Sequence, residues 1–140
     1  MQGVNFGGKH SYYAWGLLLQ EPPVVSPPKI KSKYVDVLGA HGSLDLTEKL
    51  TGQVMYEMRD MTCKFIMAGE RDRWEARLSE ILNHLHGSIM EVTVDSDQDF
   101  FWTGRAEVKD WKPGQTIAEL TIKVKVCPFR ASRLDGRQVL

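Results

Sequence analysis

Residues 3–10 have the spacing of a phosphate-binding loop. The segment reads Gly-Val-Asn-Phe-Gly-Gly-Lys-His and matches G-x-x-x-x-G-K, but His10 stands where a serine or threonine hydroxyl should bind magnesium. Such a loop follows a strand and opens a helix. Few residues precede this segment and a run of aromatic residues follows it. We therefore interpret residues 3–10 as containing a glycine turn and no nucleotide site.

Three aspartates at alternate positions resemble the start of a calcium-binding loop. Asp95, Asp97 and Asp99 have the spacing of the first three ligands. However, Phe100 stands where the loop needs glycine, and Ala106 stands where it needs a bidentate glutamate. We interpret the segment as a hairpin turn, with weak adventitious cation binding as the alternative.

The histidines do not fit a metal site or a catalytic site. His84 and His86 are two residues apart on a predicted helix, so their side chains diverge by about 200° and cannot bind one ion. We interpret both as surface residues near the C-terminal end of that helix. His10 and His41 lie in separate loops without a nucleophile motif. We therefore expect no catalytic residue, no metal and no cofactor.

The two cysteines also lack a functional pattern. Cys63 and Cys127 are far apart in the sequence and have no metal-ligand spacing. We interpret both as buried thiols that pack as small apolar side chains. A disulfide between them is the alternative.

The aromatic residues Tyr12, Tyr13 and Trp15 are the remaining candidates for binding. They could stack on a sugar or a base, but aromatics at near-alternating positions more often belong to a core or an interface. We assign them to a subunit interface. The alternative function is a monomeric, lectin-like carbohydrate-binding module that uses the same three side chains.

The composition is that of one ordinary globular domain. Among the 140 residues, 42% are apolar and 26% are charged, which is enough to build a core. Eighteen basic and eighteen acidic residues give zero net charge, so no bulk field attracts nucleic acid or an anionic membrane. No segment resembles a signal peptide or the roughly 20 apolar residues of a membrane span. We expect a protein that is made in the cytoplasm.

Residues 72–87 contain the clearest helix, and we expect no other. The apolar residues recur with a period of 3.6 and form one stripe of five side chains: Trp74, Leu78, Ile81, Leu82 and Leu85. Asp72 and Glu75 have the spacing of a capping box, and Gly87 suits a left-handed end. Because a helix of this length is unstable alone in water, its stripe must pack on a sheet.

Alternating apolar and polar residues predict the strands of that sheet. The predicted strands are residues 4–6, 34–38, 54–58, 61–67, 89–94, 100–108 and 117–126. Pro113-Gly114 predicts a turn, and residues 131–140 predict a loosely held tail. One helix among antiparallel strands favours a mainly β (α+β) fold. We expect an antiparallel β-sandwich or a partly closed barrel, with the helix packed on an open face or edge.

Two segments are predicted to lie outside the core. Four prolines in residues 20–31 predict an extended arm. Residues 39–52 predict a loop without regular structure, yet they carry Leu44, Leu46 and Leu50. Exposing three leucines would be costly in a lone monomer. We predict that this loop is an assembly loop and that its leucines contact a neighbouring subunit.

Five short motifs follow one another along the chain. They are Val-Asn-Phe-Gly-Gly-Lys-His-Ser-Tyr (4–12), Gly-Leu (16–17), Gly-Ser-Leu-Asp-Leu-Thr (42–47), Ile-Leu-Asn-His-Leu-His-Gly (81–87) and Phe-Trp-Thr-Gly-Arg (101–105). In this order they resemble the N-terminal module of the distal tail proteins of long non-contractile-tailed phages and prophages of Gram-positive bacteria. The resemblance covers roughly residues 3–129, and the ordered set carries it.

The resemblance implies a β-sandwich with one helix, related to the tail-tube fold, over residues 1–129, with residues 130–140 as a flexible tail. It implies a homo-oligomeric ring, a hexamer, that joins the tail tube to baseplate or tail-tip proteins and has no enzymatic activity. Such a ring surrounds the path of the tape measure protein and of DNA without sequence-specific binding. We expect a virion tail component that is assembled in the host cytoplasm and does not bind membranes.

Many members of this family continue into a C-terminal carbohydrate-binding-like domain. This sequence stops at Leu140, without such a domain. We therefore expect a short form or an incomplete chain, and no direct role in host binding.

Overall fold

A computed structural model describes residues 2–49 and 52–140. In chain order, the strands of this part are β1 (Val4–Phe6), β2 (Lys9–His10), β3 (Leu17–Leu19), β4 (Val24–Val25), β5 (Tyr34–Asp36), β6 (Ser43–Asp45), β7 (Arg59–Met67), β8 (Ile89–Val94), β9 (Phe100–Pro113), β10 (Ala118–Val126), β11 (Arg130–Ser132) and β12 (Gln138–Val139). The α-helices are α1 (Ser11–Trp15) and α2 (Trp74–Leu85).

Ten of these strands form one antiparallel sheet, and β5 and β6 form a separate hairpin. The order across the sheet is β2-β1-β8-β9-β10-β7-β3, with β4 beside β7 and with β11 between β9 and β12. Since β2 and β3 end this path without pairing with each other, the sheet does not close into a barrel. The predicted mainly β fold with a packed helix is confirmed in its open, sandwich-like form.

One face of the sheet carries the core. Because strands have a period of two, alternate side chains of β10 point to this face, and all five predicted ones are buried: Ala118, Leu120, Ile122, Val124 and Val126. Ile122 lies opposite Cys63 of β7 and Val108 of β9, which continues the apolar surface across three strands. β9 and β10 meet at the predicted Pro113-Gly114 turn, where the Gly114 N–H donates to Ile117 O (2.9 Å).

Helix α2 covers part of this face, but it differs from the prediction at its start. A 3₁₀ turn (Arg71–Arg73) precedes it, and no side chain caps its first turn, so the predicted capping box is wrong. Gly87 has φ 85°, as its left-handed role requires. Of the predicted stripe, Trp74, Ile81 and Leu85 are buried, while Leu78 and Leu82 are half-buried.

The expectation of a single helix is wrong. Ser11–Trp15 forms α1, which His10 caps by accepting a hydrogen bond at Nδ1 from the Tyr12 N–H (3.1 Å). Gly16 ends α1 with φ 67°. Histidine is not among the preferred cap residues, so the start of α1 carried no sequence signal. Among the described residues, no helix is long and apolar enough to cross a membrane.

Three predicted segments have a different structure. Residues 54–58 contribute a single bridge, between Ile30 and Tyr56, in place of a strand. The predicted loop over residues 39–52 contains β6, which pairs with β5. Residues 130–140, expected to be a loose tail, contain β11 and β12, and β11 also pairs with Phe100 and Phe101 of β9.

Candidate assembly surface

His10 joins the N-terminal segment to the turn after β8. Its Nε2 lies 2.7 Å from Asp95 Oδ2, and the same oxygen accepts the Gly3 N–H (2.9 Å). Because Nδ1 accepts from the helix backbone, the proton lies on Nε2, which donates to Asp95. The neighbouring Ser11 hydroxyl is buried and accepts the Val4 N–H (3.0 Å). These hydrogen bonds engage the imidazole of His10, the carboxylate of Asp95 and the hydroxyl of Ser11, so the three side chains have a structural role.

His84 and His86 join the end of α2 to the sheet. Of the two predicted surface histidines, His86 is exposed and His84 is half-buried. His84 Nε2 lies 2.7 Å from Phe6 O in β1, and His86 Nδ1 accepts the Val108 N–H (3.0 Å) of β9. The Gly87 N–H also donates to Ala106 O (2.7 Å). Both imidazole rings thus form hydrogen bonds with the backbone of strands that lie beside the C-terminal end of α2.

The three aspartates of the calcium-like spacing belong to the turn that connects the paired strands β8 and β9, and the carboxylates of Asp95 and Asp97 have different partners. Asp95 binds His10 and Gly3, Asp97 forms an ion pair with Arg130, and the backbone oxygen of Asp99 accepts the Arg133 N–H (2.9 Å). The hairpin-turn interpretation is therefore confirmed. Within residues 2–49 and 52–140, no three His, Cys, Asp or Glu side chains are arranged to hold a metal ion.

The two cysteines are free thiols in different environments. Cys63 is buried in the core, as predicted, and its burial raises its pKa to about 12. Cys127 is exposed, which corrects the prediction that both are buried.

The aromatic group does not form one surface. Trp15 is only 3% exposed and packs against the rings of Phe6 and His84, so its assignment to an interface is wrong. Tyr12 is half-buried, and Tyr13 is 72% exposed and lies against the rings of His10 and Tyr12. A three-ring platform for sugar binding is therefore not formed. Tyr12 and Tyr13 are the two members that solvent reaches.

Residues 27–49 and 52–58, called the arm below, leave the body of the protein. Its two legs pair near Ile30 and Tyr56: the Glu57 N–H donates to Lys29 O, and the Lys31 N–H donates to Met55 O (both 2.8 Å). Beyond the legs, β5 and β6 form a hairpin with Val35 opposite Leu44. No described residue of the arm is buried. The arm therefore has no core of its own.

The base of the arm is fixed to β7. The Ser26 N–H donates to Asp60 O (2.9 Å), and Ser26 Oγ accepts the Asp60 N–H (3.0 Å). Arg59 Nε donates to Ser26 O (2.8 Å), and its guanidinium lies 5.0 Å from the centre of the Trp102 ring. Since the core holds β7, these contacts fix the position at which the arm leaves the body.

Large apolar side chains are exposed along the arm. Of fifteen exposed large apolar residues in the described chain, eight belong to the arm: Ile30, Tyr34, Val35, Val37, Leu38, Leu44, Met55 and Met58. The arm is less than a quarter of the chain but holds more than half of them. Such a concentration of exposed apolar surface is typical of a protein contact site.

Of the predicted interface leucines, Leu44 is 52% exposed on β6, and Leu46 is half-buried with its N–H donating to Lys33 O (2.7 Å). Leu50 lies outside the described residues. Leu38 has the most exposed large apolar side chain among the described residues of the arm, and it was not predicted as an interface residue, although it belongs to the apolar run that predicted a strand. The apolar run indicates a strand, but only the tertiary structure shows that this strand lies outside the core.

The tip of the arm, residues 34–45, carries negative charge. It contains Asp36 and Asp45 and no lysine or arginine. Hydrogen bonds from the hydroxyl and the N–H of Thr47 lower the pKa of Asp45, so this exposed carboxylate stays ionised at neutral pH. Asp36 accepts a hydrogen bond from the Ser43 hydroxyl across the hairpin.

The fold is similar to that in the crystal structure of the SPP1 Dit protein (gp 19.1), described as a paradigm of the hub adsorption apparatus in phages that infect Gram-positive bacteria. The TM-score is 0.70 at 16% sequence identity, and the match covers 94% of this chain and 52% of the SPP1 Dit chain. The chain thus spans about half the length of the structure that it matches. Comparison of the sequence with protein families and with curated proteins gives no match. The resemblance indicated by the sequence motifs is confirmed at the level of the fold.

Proposed function

We propose that this chain is a structural component of a phage tail, a distal-tail-protein module at the end of the tail tube. The observation that carries the proposal is the fold shared with SPP1 Dit over 94% of the chain. SPP1 Dit is described as a paradigm of a hub adsorption apparatus, and we extend a hub role of this kind to the present protein.

We propose further that copies of the chain form a ring, a hexamer, that joins the tail tube to baseplate or tail-tip proteins. The arm supports this proposal, because an isolated two-stranded hairpin is marginal in water and gains stability when a partner covers it. Each leucine that becomes fully buried contributes roughly 2 kcal/mol to association before ordering costs. We retain Leu44, Leu46 and Leu50, together with Tyr12 and Tyr13, as interface residues.

The proposed role is structural and needs no catalysis, metal or cofactor. His10, His84 and His86 support this proposal, because each is engaged with the backbone or with a turn carboxylate. We propose that the tape measure protein and DNA pass through the ring, that the protein resides in the virion tail, and that assembly takes place in the host cytoplasm.

The location in the virion can be tested by immunogold electron microscopy. Antibodies raised against the purified chain are applied to virions whose genome encodes it. We expect label at the distal end of the tail tube, where the tube meets the tip. Label on the capsid, label along the whole tube, or no label above that of a pre-immune serum would contradict the proposal.

A further inference from the structure

A groove of about 530 Å³ lies on the face of the sheet opposite the core. Arg105 and Glu107 of β9 and Lys123 and Lys125 of β10 line it, at positions that alternate with buried residues. Its rim carries the exposed apolar side chains of Met58 and Ile89 and the thiol of Cys127. The groove therefore combines apolar contact area with cations.

Of the three cations that line the groove, only Lys123 forms an ion pair with a residue that the structure describes. Lys123 Nζ lies 3.9 Å from Asp60 Oδ2, and Arg105 Nη1 donates to Gly87 O (2.6 Å). Glu107 pairs with Lys109 at 3.9 Å. Lys125 forms no ion pair with any residue that the structure describes. The groove thus presents a free positive charge beside apolar surface.

The tip of the arm is complementary to the groove, because it combines apolar side chains with negative charge. It is apolar at Val37, Leu38 and Leu44, and it is negative at Asp36 and Asp45. The arm ends at Met58, which lines the groove, and Leu38 at its tip is fully exposed. The arm of a protomer therefore does not fill its own groove. Residues 31–38 reach roughly 23 Å when extended, at about 3.3 Å per residue, which is enough to reach an adjacent molecule.

We propose that the tip of the arm, residues 34–45, of one copy of this chain lies in the groove beside Lys125 of a second copy. The contact joins two different surfaces of the same chain, so it is heterologous, and a heterologous contact closes into a ring when its rotation permits. The proposal rests on the ring proposed above and names the surface that receives the arm.

Cross-linking through the native thiol of the groove tests this contact. In separate Leu38→Cys and Leu44→Cys variants, each protomer carries one thiol on the arm and Cys127 in the groove. Heterologous contacts then link protomers in series, so at least one variant should give a ladder of dimers, trimers and larger species after oxidation, on a non-reducing gel. Adding Cys127→Ser should reduce the ladder to dimers at most.

Leu134→Cys is the matched control, because Leu134 is almost fully exposed but lies outside the arm. We expect no ladder from it at the same protein concentration. A ladder of equal intensity from this control would show random collision and would overturn the proposal. So would the absence of a ladder from both arm variants.

Light scattering, combined with the cross-linking result, distinguishes a failure of this contact from a failure of ring formation. If the arm variants are oligomeric by light scattering but give no ladder, the arm contacts another surface, and the proposed ring stands. If the wild-type chain is monomeric at every concentration, both the ring and the arm-in-groove contact are wrong.

Charge reversal in the groove gives an independent measurement. Lys125→Glu should weaken self-association by about two- to fivefold, because it replaces the cation by a carboxylate that repels Asp36 and Asp45 of the tip. Lys112→Glu is the control, since Lys112 lies outside the groove and pairs with Asp110 at 3.4 Å. Equal weakening by both variants, with unchanged circular dichroism, would contradict the assigned role of Lys125.

Discussion

Gly104 allows β9 and β10 to approach each other closely. A Cβ at this position would lie 2.2 Å from Lys125 O and 2.7 Å from Val126 Cα, both in the backbone of β10. Because a backbone cannot rotate aside as a side chain does, we expect Gly104→Ala to lower the free energy of unfolding by about 1–3 kcal/mol. Urea denaturation measures this change. The exposed Glu107→Ala on the same strand should stay within about 0.5 kcal/mol, and equal losses would contradict the steric explanation.

The two thiols should differ in reactivity. Burial raises the pKa of Cys63 to about 12, so this thiol is neutral and shielded at pH 8, whereas Cys127 is exposed. We expect a thiol reagent such as Ellman's reagent to titrate one thiol in the native protein and two after unfolding. Cys127→Ser should leave none titratable in the native state; a rapidly reacting thiol in that variant would contradict the burial of Cys63.

The raised pKa of Cys63 also sets a direction for stability at alkaline pH. The unfolded chain ionises this thiol near its ordinary value of 9.0, and the folded chain does so only near 12. Its contribution to stability is therefore complete below pH 9 and is lost as the pH rises toward 12. Cys63→Ala should reduce the alkaline loss of stability over this range, as measured by denaturation at a series of pH values. An identical alkaline slope in both proteins would contradict this linkage.

At the scale of the elements, α2 is held by three buried side chains, Trp74, Ile81 and Leu85. Ile81 and Leu85 lie in the core, whereas Leu82 is half-buried. We expect Ile81→Ala and Leu85→Ala each to cost about 2–5 kcal/mol of unfolding free energy, and Leu82→Ala to cost less. Thermal or urea denaturation distinguishes them. A larger loss at Leu82 than at Leu85 would contradict the observed orientation of the helix.

The sequence predicts long elements with one buried face and fails on short or outlying ones. β10 and α2 were found because their buried residues repeat with periods of 2 and 3.6 over nine and twelve residues. α1, with five residues, is too short to show a period. β5 has the composition of a core strand, but all three of its residues are exposed on the arm.

The exposed apolar residues of the arm were predicted only in part, for the same physical reason. The leucines of residues 39–52 stood out because they lack a core pattern, and Leu44 is exposed. Trp15 was misassigned because an aromatic side chain suits a core and an interface equally well. Its packing on Phe6 and His84 decides between them, and neither contact is visible in the sequence.

At the scale of the whole molecule, the exposed apolar side chains of the arm lie apart from the buried core. The core lies between the sheet and α2, while the arm contributes no buried residue in the part that the structure describes. Changes in the arm should therefore alter assembly without unfolding the body. We expect Leu38→Ser/Leu44→Ser to keep the circular dichroism spectrum and the urea midpoint of the wild type. Loss of the folded spectrum would show that the arm supports the core.

Light scattering coupled to size-exclusion chromatography measures the assembly itself, over a range of protein concentrations. For the wild type, a hexameric ring of 15.9 kDa chains predicts a mass of roughly 95 kDa. For Leu38→Ser/Leu44→Ser, we expect the mass to fall toward that of one chain while the fold is kept. A wild-type mass of one chain at every concentration would contradict the ring. A double variant that keeps the full assembled mass would contradict the role of the arm.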